Sequence, residues 1–392
     1  MRRGIRRGFH PQGGSTAGRV ATLIGSLGLG ALGLLGCSVY EPINPEALIG
    51  DRLVERLGAE RASQVEIPYE LDDEIRGVLI TRVNPAGSEK ARTNGILDFV
   101  FTRLDLQYSL VPTRDAVGTY RAKSGNCLSF VNLFVGMCRQ MRLNPFYVEV
   151  TDLQRWNYRD GVVVSQGHIV AGMYVDGQLS TYDFLPYRAK GYRDFEPIDD
   201  LMAMAHFYNN LGAEALLEGD VEGAQGPLSL AVDLAPDFTK AINNLGVTHL
   251  RLGQTDKAVA LYQRGLELDP ADVALLTNLA RAYQTQGRTA EAMELLLQLE
   301  EVNETSPFFF VYRGEMALGQ GDPQQALIYM REALRRDSEV PEVHVGLVKV
   351  YLALGEVSKA RHHLERALRL DATNREARRL LGLMQSDQAE RQ

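Results

Sequence analysis

Between Ser38 and Ala205 the chain holds one histidine, His168, and two cysteines, Cys127 and Cys138. That scarcity narrows the chemistry open to the segment. A zinc centre needs three or four Cys, His or carboxylate ligands, usually with paired short spacings, and no such cluster occurs, so no metal or other cofactor is expected. That segment has neither a G-x-S-x-G elbow nor a Gly-rich phosphate loop. A cysteine worked by a histidine is the chemistry that remains.

The elements around these residues must bring them together. Ser124-Gly125-Asn126 reads as a turn and Leu128 to Leu143 as a helix, with Phe130, Leu133, Phe134 and Met137 on its buried side. Cys127 then stands at a helix N-terminus, where free amides and the positive end of the dipole favour a thiolate. Cys138 falls about three turns further along, roughly 16 Å away, too far for a disulfide, and reads as a small buried apolar residue. His168 opens a strand, Ile169 to Val175, that turns at Asp176-Gly177 and returns as Gln178 to Leu185. Pairing Val175 with Gln178 sets His168 opposite Leu185 and makes Asp183 its diagonal neighbour on the same face. A carboxylate there can hold the imidazole and select its tautomer. The candidate catalytic residues are thus Cys127 as nucleophile, His168 as base and Asp183 as the group that orients it.

The run Gly125-Asn126-Cys127-Leu128-Ser129-Phe130, followed by Leu133, Arg139 and Leu143, resembles the core motif of the transglutaminase-like superfamily. The family's chain order of Cys, His, Asp is also kept, with 41 residues from Cys127 to His168 and 15 from there to Asp183. The resemblance spans residues 100–190. It implies a papain-like α+β core whose nucleophile helix packs on an antiparallel sheet, here Phe146–Val150, Gly167–Val175 and Leu179–Leu185. It also implies thiol acyl chemistry of the cysteine peptidase or amidase kind, with amine transfer as a further option. The charged stretch usual after the cysteine is replaced by Leu128-Ser129. Tyr108, Trp156 and Tyr158 are candidates for lining a cleft.

Downstream, Ala224, Ala258, Ala292, Ala326 and Ala360 recur every 34 residues. A second row reads Gly212, Gly246, Ala280, Gly314, Val348 and Gly382, small everywhere except at Val348. With Tyr208, Leu211, Leu228, Ala231 and Pro236 in the first unit, and Leu245, Tyr262 and Pro270 in the second, the pattern resembles the tetratricopeptide repeat. Helices that pass this close need small side chains at the crossing, and the stacked pairs form a superhelix with a groove for a protein or peptide partner. Five repeats over 205–374 and a capping helix over 375–392 are expected, giving an all-α superhelix after the α+β core.

The amino end carries Arg2, Arg3, Arg6, Arg7 and Arg19, then an apolar run from Val20 to Leu35, shorter than a membrane span and suited to an export signal. Arg6-Arg7-Gly8-Phe9 looks like a twin-arginine signal. Leu34-Leu35-Gly36-Cys37 resembles the bacterial lipobox, which implies removal of residues 1–36 and lipidation of Cys37. Residues 37–68 would be a tether and first helix, and 69–200 the hydrolase domain. Acyl chains can hold a soluble domain at a bilayer without a spanning helix. Ser38, where family members kept in the inner membrane have aspartate, points to the periplasmic face of the outer membrane. A net charge of −8 gives no reason to expect nucleic acid as a partner. Two functions are consistent with this layout: an envelope-tethered thiol hydrolase whose repeats recruit its substrate, or a non-catalytic lipoprotein adaptor that only binds.

Overall fold

A computed structural model describes residues 45–159, 162–184, 195–302, 307–371 and 374–390. The stretch expected to direct export, and Cys37, lie outside them.

The first domain starts with helices α1 (Pro45–Leu57), α2 (Ala59–Ala62), α3 (Asp73–Arg82) and α4 (Glu89–Asp98), the last running into one π-helical turn at Phe99–Arg103. Short polar side chains start α3 and α4: Asp72 accepts from Ile75 N at 2.9 Å, and Ser88 from Ala91 N at 3.2 Å. Next come β1 (Gln107–Tyr108), α5 (Ala116–Ala122) and β2 (Ser124–Gly125). The expected turn at Ser124-Gly125 is instead a parallel pairing with β1, Gln107 opposite Ser124 and Tyr108 opposite Gly125. Helix α6 (Cys127–Gln140) follows. Every residue from Leu128 to Cys138 is buried, so this helix is the axis of the domain and not a one-sided amphipathic element.

Strands β3 (Pro145–Arg159), β4 (Val162–Val175), β5 (Gln178–Tyr182) and β6 (Phe195–Ile198) form an antiparallel sheet in the order β5-β4-β3-β6. The expected register holds, with Val175 opposite Gln178 across the Asp176-Gly177 turn. Two boundaries differ. Strand β4 begins at Val162, so His168 lies inside it; the run Val162-Val163-Val164 breaks the alternation by which strands are recognised. Strand β5 ends at Tyr182, before Asp183, and Leu185, the expected partner of His168, lies outside the described residues.

The second domain is a series of helix pairs: α7 (Asp200–Glu218) with α8 (Val221–Leu234), α9 (Thr239–Arg251) with α10 (Thr255–Leu268), α11 (Val273–Thr285) with α12 (Thr289–Val302), α13 (Pro307–Gly319) with α14 (Pro323–Arg336), and α15 (Pro341–Ala353) with α16 (Val357–Leu370). Helix α17 (Arg375–Glu390) ends it. The small-residue row is explained by packing. A Cβ on Gly212 would lie 2.4 Å from Leu228 Cγ, and one on Gly246 2.4 Å from Tyr262 Cε1. In the fifth pair Val348 is accommodated fully buried. A third row, at Gly219, Gly253, Gly287, Gly321 and Gly355, keeps the same period and has φ between 73° and 86°, the left-handed turn that closes each first helix.

The two domains share one core. A single apolar cluster runs from Ile49 through α6 to Val247 on α9. Arg139, near the end of α6, holds Asp200 at the start of α7 through two hydrogen bonds of 2.9 and 2.7 Å, and its guanidinium lies 4.3 Å over the Tyr69 ring. Glu149 on β3 pairs with Lys240 and lies 3.4 Å from His206 Nε2. Strand β4 packs along α7, α9 and α11, the first helices of three consecutive repeats. Asn244 on α9 bonds Asn209 on α7 at 2.8 Å, and Asn278 on α11 bonds Asn243 at 2.7 Å, so the same helices are also tied by buried asparagines.

Candidate active site

Cys127 is the first residue of α6 and is partly exposed, whereas Cys138 is fully buried, and both are free thiols. Burial pushes the Cys138 thiol well above its usual range, which keeps it neutral and inert. The helix start is built from its neighbours. Asn126 is the cap, its Oδ1 accepting from Ser129 N and Ser129 Oγ at 3.0 Å each. Ser129 Oγ also accepts from Arg114 N at 2.8 Å. A Cβ on Gly125 would come 2.6 Å from Ser129 Cβ, so only glycine fits before the cap. Ser129, the departure from the family's usual charged residue, is thus a buried brace.

His168 is opposite Val150 on β3, but Gln166 is opposite Arg155, so the ladder slips beside the histidine. Such a bulge re-aims side chains locally. His168 is 4% exposed, and its Nε2 lies 3.2 Å from Asp183 Oδ1. The ring also interacts with the Cys127 thiol, which raises the His168 pKa together with Asp183. Burial disfavours the charged ring, but the hydrogen bonds of Asp183 and Cys127 and their charges prevail, and the His168 pKa is raised to about 9. The three candidates therefore meet at one point: sulfur, imidazole, carboxylate.

Residues that the motif reading passed over complete the surroundings. Leu110 and Val111 are exposed apolar side chains in the segment after β1, which runs beside the start of α6: Ser109 N donates to Gly125 O at 3.0 Å. Phe101 of the π turn stacks on Phe184 at 5.4 Å, and Phe184 packs edge-on against Phe130 of α6. Tyr108 packs edge-on on Phe130 at 6.3 Å. The side chains of Trp156 and Tyr158 lie outside the described set. Thr113, which donates to Glu214 of α7, could not have been found from spacing, because its partner lies 101 residues away on a repeat helix. The polar pair across the interface, Glu149 with Lys240, has the same character: burial opposes the Glu149 charge, but His206 and Lys240 hold its carboxyl down at about 2.

Residues 79–186 match the model of the transglutaminase-like superfamily, and residues 249–307 and 317–384 match a tetratricopeptide-repeat model. Among curated proteins nothing matches. Among solved structures, the chain is similar to TTC0263, a thermophilic TPR protein in Thermus thermophilus, with 21% identity, a TM-score of 0.42, and coverage of 46% of this chain and 98% of that one. It is also similar to PilF of Pseudomonas aeruginosa, with 22% identity, a TM-score of 0.36, and coverage of 47% and 86%. A third is YrrB, a TPR protein with an unusual peptide-binding site, with 17% identity, a TM-score of 0.28, and coverage of 44% and 89%. With the helix pairs above and the mixed α and β domain before them, the chain joins a transglutaminase-like domain to a protein-interacting array of tetratricopeptide repeats.

Proposed function

We propose that this protein is a thiol acyl hydrolase, a cysteine peptidase or amidase, tethered to the bacterial envelope through Cys37. The observation that carries the catalytic half is the contact of His168 with both Cys127 and Asp183. In this reading His168 takes the thiol proton and Cys127 attacks an amide carbonyl. The raised pKa lets the ring keep that proton through neutral pH until the leaving amine receives it. Water then attacks the acyl-enzyme, with His168 as base, and releases the acid. The free amides at the start of α6 supply part of the oxyanion site. The exposed Leu110 and Val111 favour an apolar residue beside the scissile bond.

The repeats bring the substrate protein or peptide. Because β4 already runs along α7, α9 and α11, the surface left for a partner belongs to the last two pairs, α13 to α16. The tether rests on the lipobox-like Leu34-Leu35-Gly36-Cys37, and Ser38 after it favours the periplasmic face of the outer membrane. Labelling by iodoacetamide tests the chemistry: Cys127 should react fast, and His168→Ala should slow it by about a hundredfold, the lower range for a lost base. Equal labelling of the two proteins would leave a lipid-tethered adaptor. Release of a free acid, and not of an amine-linked product, separates hydrolysis from transfer.

A further inference from the structure

We propose that Glu214, on the first repeat helix, is a positioning residue for the nucleophile, acting through Thr113 to fix the direction in which the Asn126 amide faces and so to hold the cap of the helix that carries Cys127. This rests on Cys127 being the nucleophile.

The four side chains involved are buried: Glu214 is 8% exposed, Thr113 4%, Asn126 7% and Ser129 0%. Among the described residues, the only hydrogen-bond donor to the Glu214 carboxylate is Thr113, whose N lies 2.9 Å from both carboxylate oxygens and whose Oγ1 lies 2.5 Å from Oε1. Thr113 Oγ1 accepts from Asn126 Nδ2 at 2.6 Å. Asn126 Oδ1 in turn caps α6 through Ser129.

The direction of this chain of bonds follows from what each group can do. A carboxylate only accepts, so the Thr113 hydroxyl must spend its hydrogen on Glu214. Its lone pairs are then all that Asn126 can meet, which requires the NH₂ end of the amide on that side. The amide oxygen is thereby turned to the helix start, where the free N–H groups need an acceptor. Without the carboxylate, the hydroxyl can rotate and donate toward Asn126, and the amide direction is then left to the Ser129 N–H on Oδ1 and to the Leu110 carbonyl, 3.5 Å from Nδ2. Burial raises the Glu214 pKa against the Thr113 hydrogen bonds and the Arg114 charge, so keeping a carboxylate here is costly. Holding the residue before Cys127 in one orientation gives that cost a purpose. The repeat array is therefore part of the catalytic site's framework and not only a recruiting arm, and Arg139 with Asp200 ties the other end of the same helix to the same repeat.

The test is the rate of Cys127 alkylation by iodoacetamide across about pH 5 to 9, in the full-length protein, with His168→Ala alongside. Glu214→Leu should slow the reaction about tenfold at neutral pH, about 1.4 kcal/mol, and change the shape of its pH profile. Glu214→Gln, whose amide oxygen can still accept from Thr113, should stay within about threefold of the parent. Thr113→Val should repeat the Leu effect and Thr113→Ser should rescue it, which decides the matter even if Glu214→Leu does not fold. Parent-like rates and profiles in Glu214→Leu and Thr113→Val would overturn the proposal, as would equal losses in the Gln and Ser variants. If His168→Ala alkylates as fast as the parent, it is the hydrolase reading that fails.

Discussion

Replacing Asp183 by Asn keeps the side chain's shape and removes its charge from the His168 ring. The rise of the His168 pKa from 6.5 to about 9 corresponds to about 3 kcal/mol in favour of the protonated ring. Burial pulls the other way, so Asp183 and Cys127 together supply more than this net figure, and the Asp183 hydrogen bond is the largest of the raising contributions. Its loss should lower the His168 pKa by a unit or more, about 1.4 kcal/mol per unit. The sign follows from linkage. A histidine whose folded pKa is raised contributes stability that is complete below its unfolded pKa, near 6.5, and is lost as the pH rises through about 9. Asp183→Asn should therefore cost most near about pH 6 and little near about pH 10. Urea unfolding at several pH values, with the His168 ring resonance followed by NMR, gives both numbers. A parent His168 titrating at or below its ordinary value, or a cost independent of pH, would refute the reasoning.

Other consequences are as definite. Gly246→Ala puts a methyl 2.4 Å from the fully buried Tyr262 and should cost about 1–3 kcal/mol by calorimetry, whereas Gly77→Ala, facing open space on α3, should gain up to about 1 kcal/mol. Arg139→Met strips Asp200 of both its guanidinium bonds and should destabilise the chain by about 3 kcal/mol in denaturant titrations. Glu149, held down at about 2, contributes stability that is present above its unfolded pKa near 4.5 and is lost as the pH falls toward 2. Acid unfolding of Glu149→Gln followed by circular dichroism should accordingly lose part of the parent's sensitivity in that window.

Much of this molecule could be read in the sequence because its signals are local or periodic. The 34-residue phase of small residues reflects helix crossings repeated in every pair, and the Asp176-Gly177 turn fixes a register in which Asp183 is a near neighbour of His168. Cys127 at a helix start follows from Asn126 and the apolar run after it. What escaped was set by contacts between distant segments. The burial of α6 on all sides depends on helices before it and the sheet after it. Strand β4 also lies against repeat helices, a contact no strand pattern encodes. Glu214 reads as an ordinary polar residue of a repeat helix, and only the fold brings it to Thr113.

In the proposed chemistry the Cys127 sulfur, served by His168, forms an acyl-enzyme. The most direct measurement is intact-mass spectrometry after single-turnover reaction with an activated ester. One acyl adduct, mapped to Cys127, should form at least about a hundredfold faster in the parent than in His168→Ala. No adduct on Cys127, or equal rates in the two proteins, would contradict it.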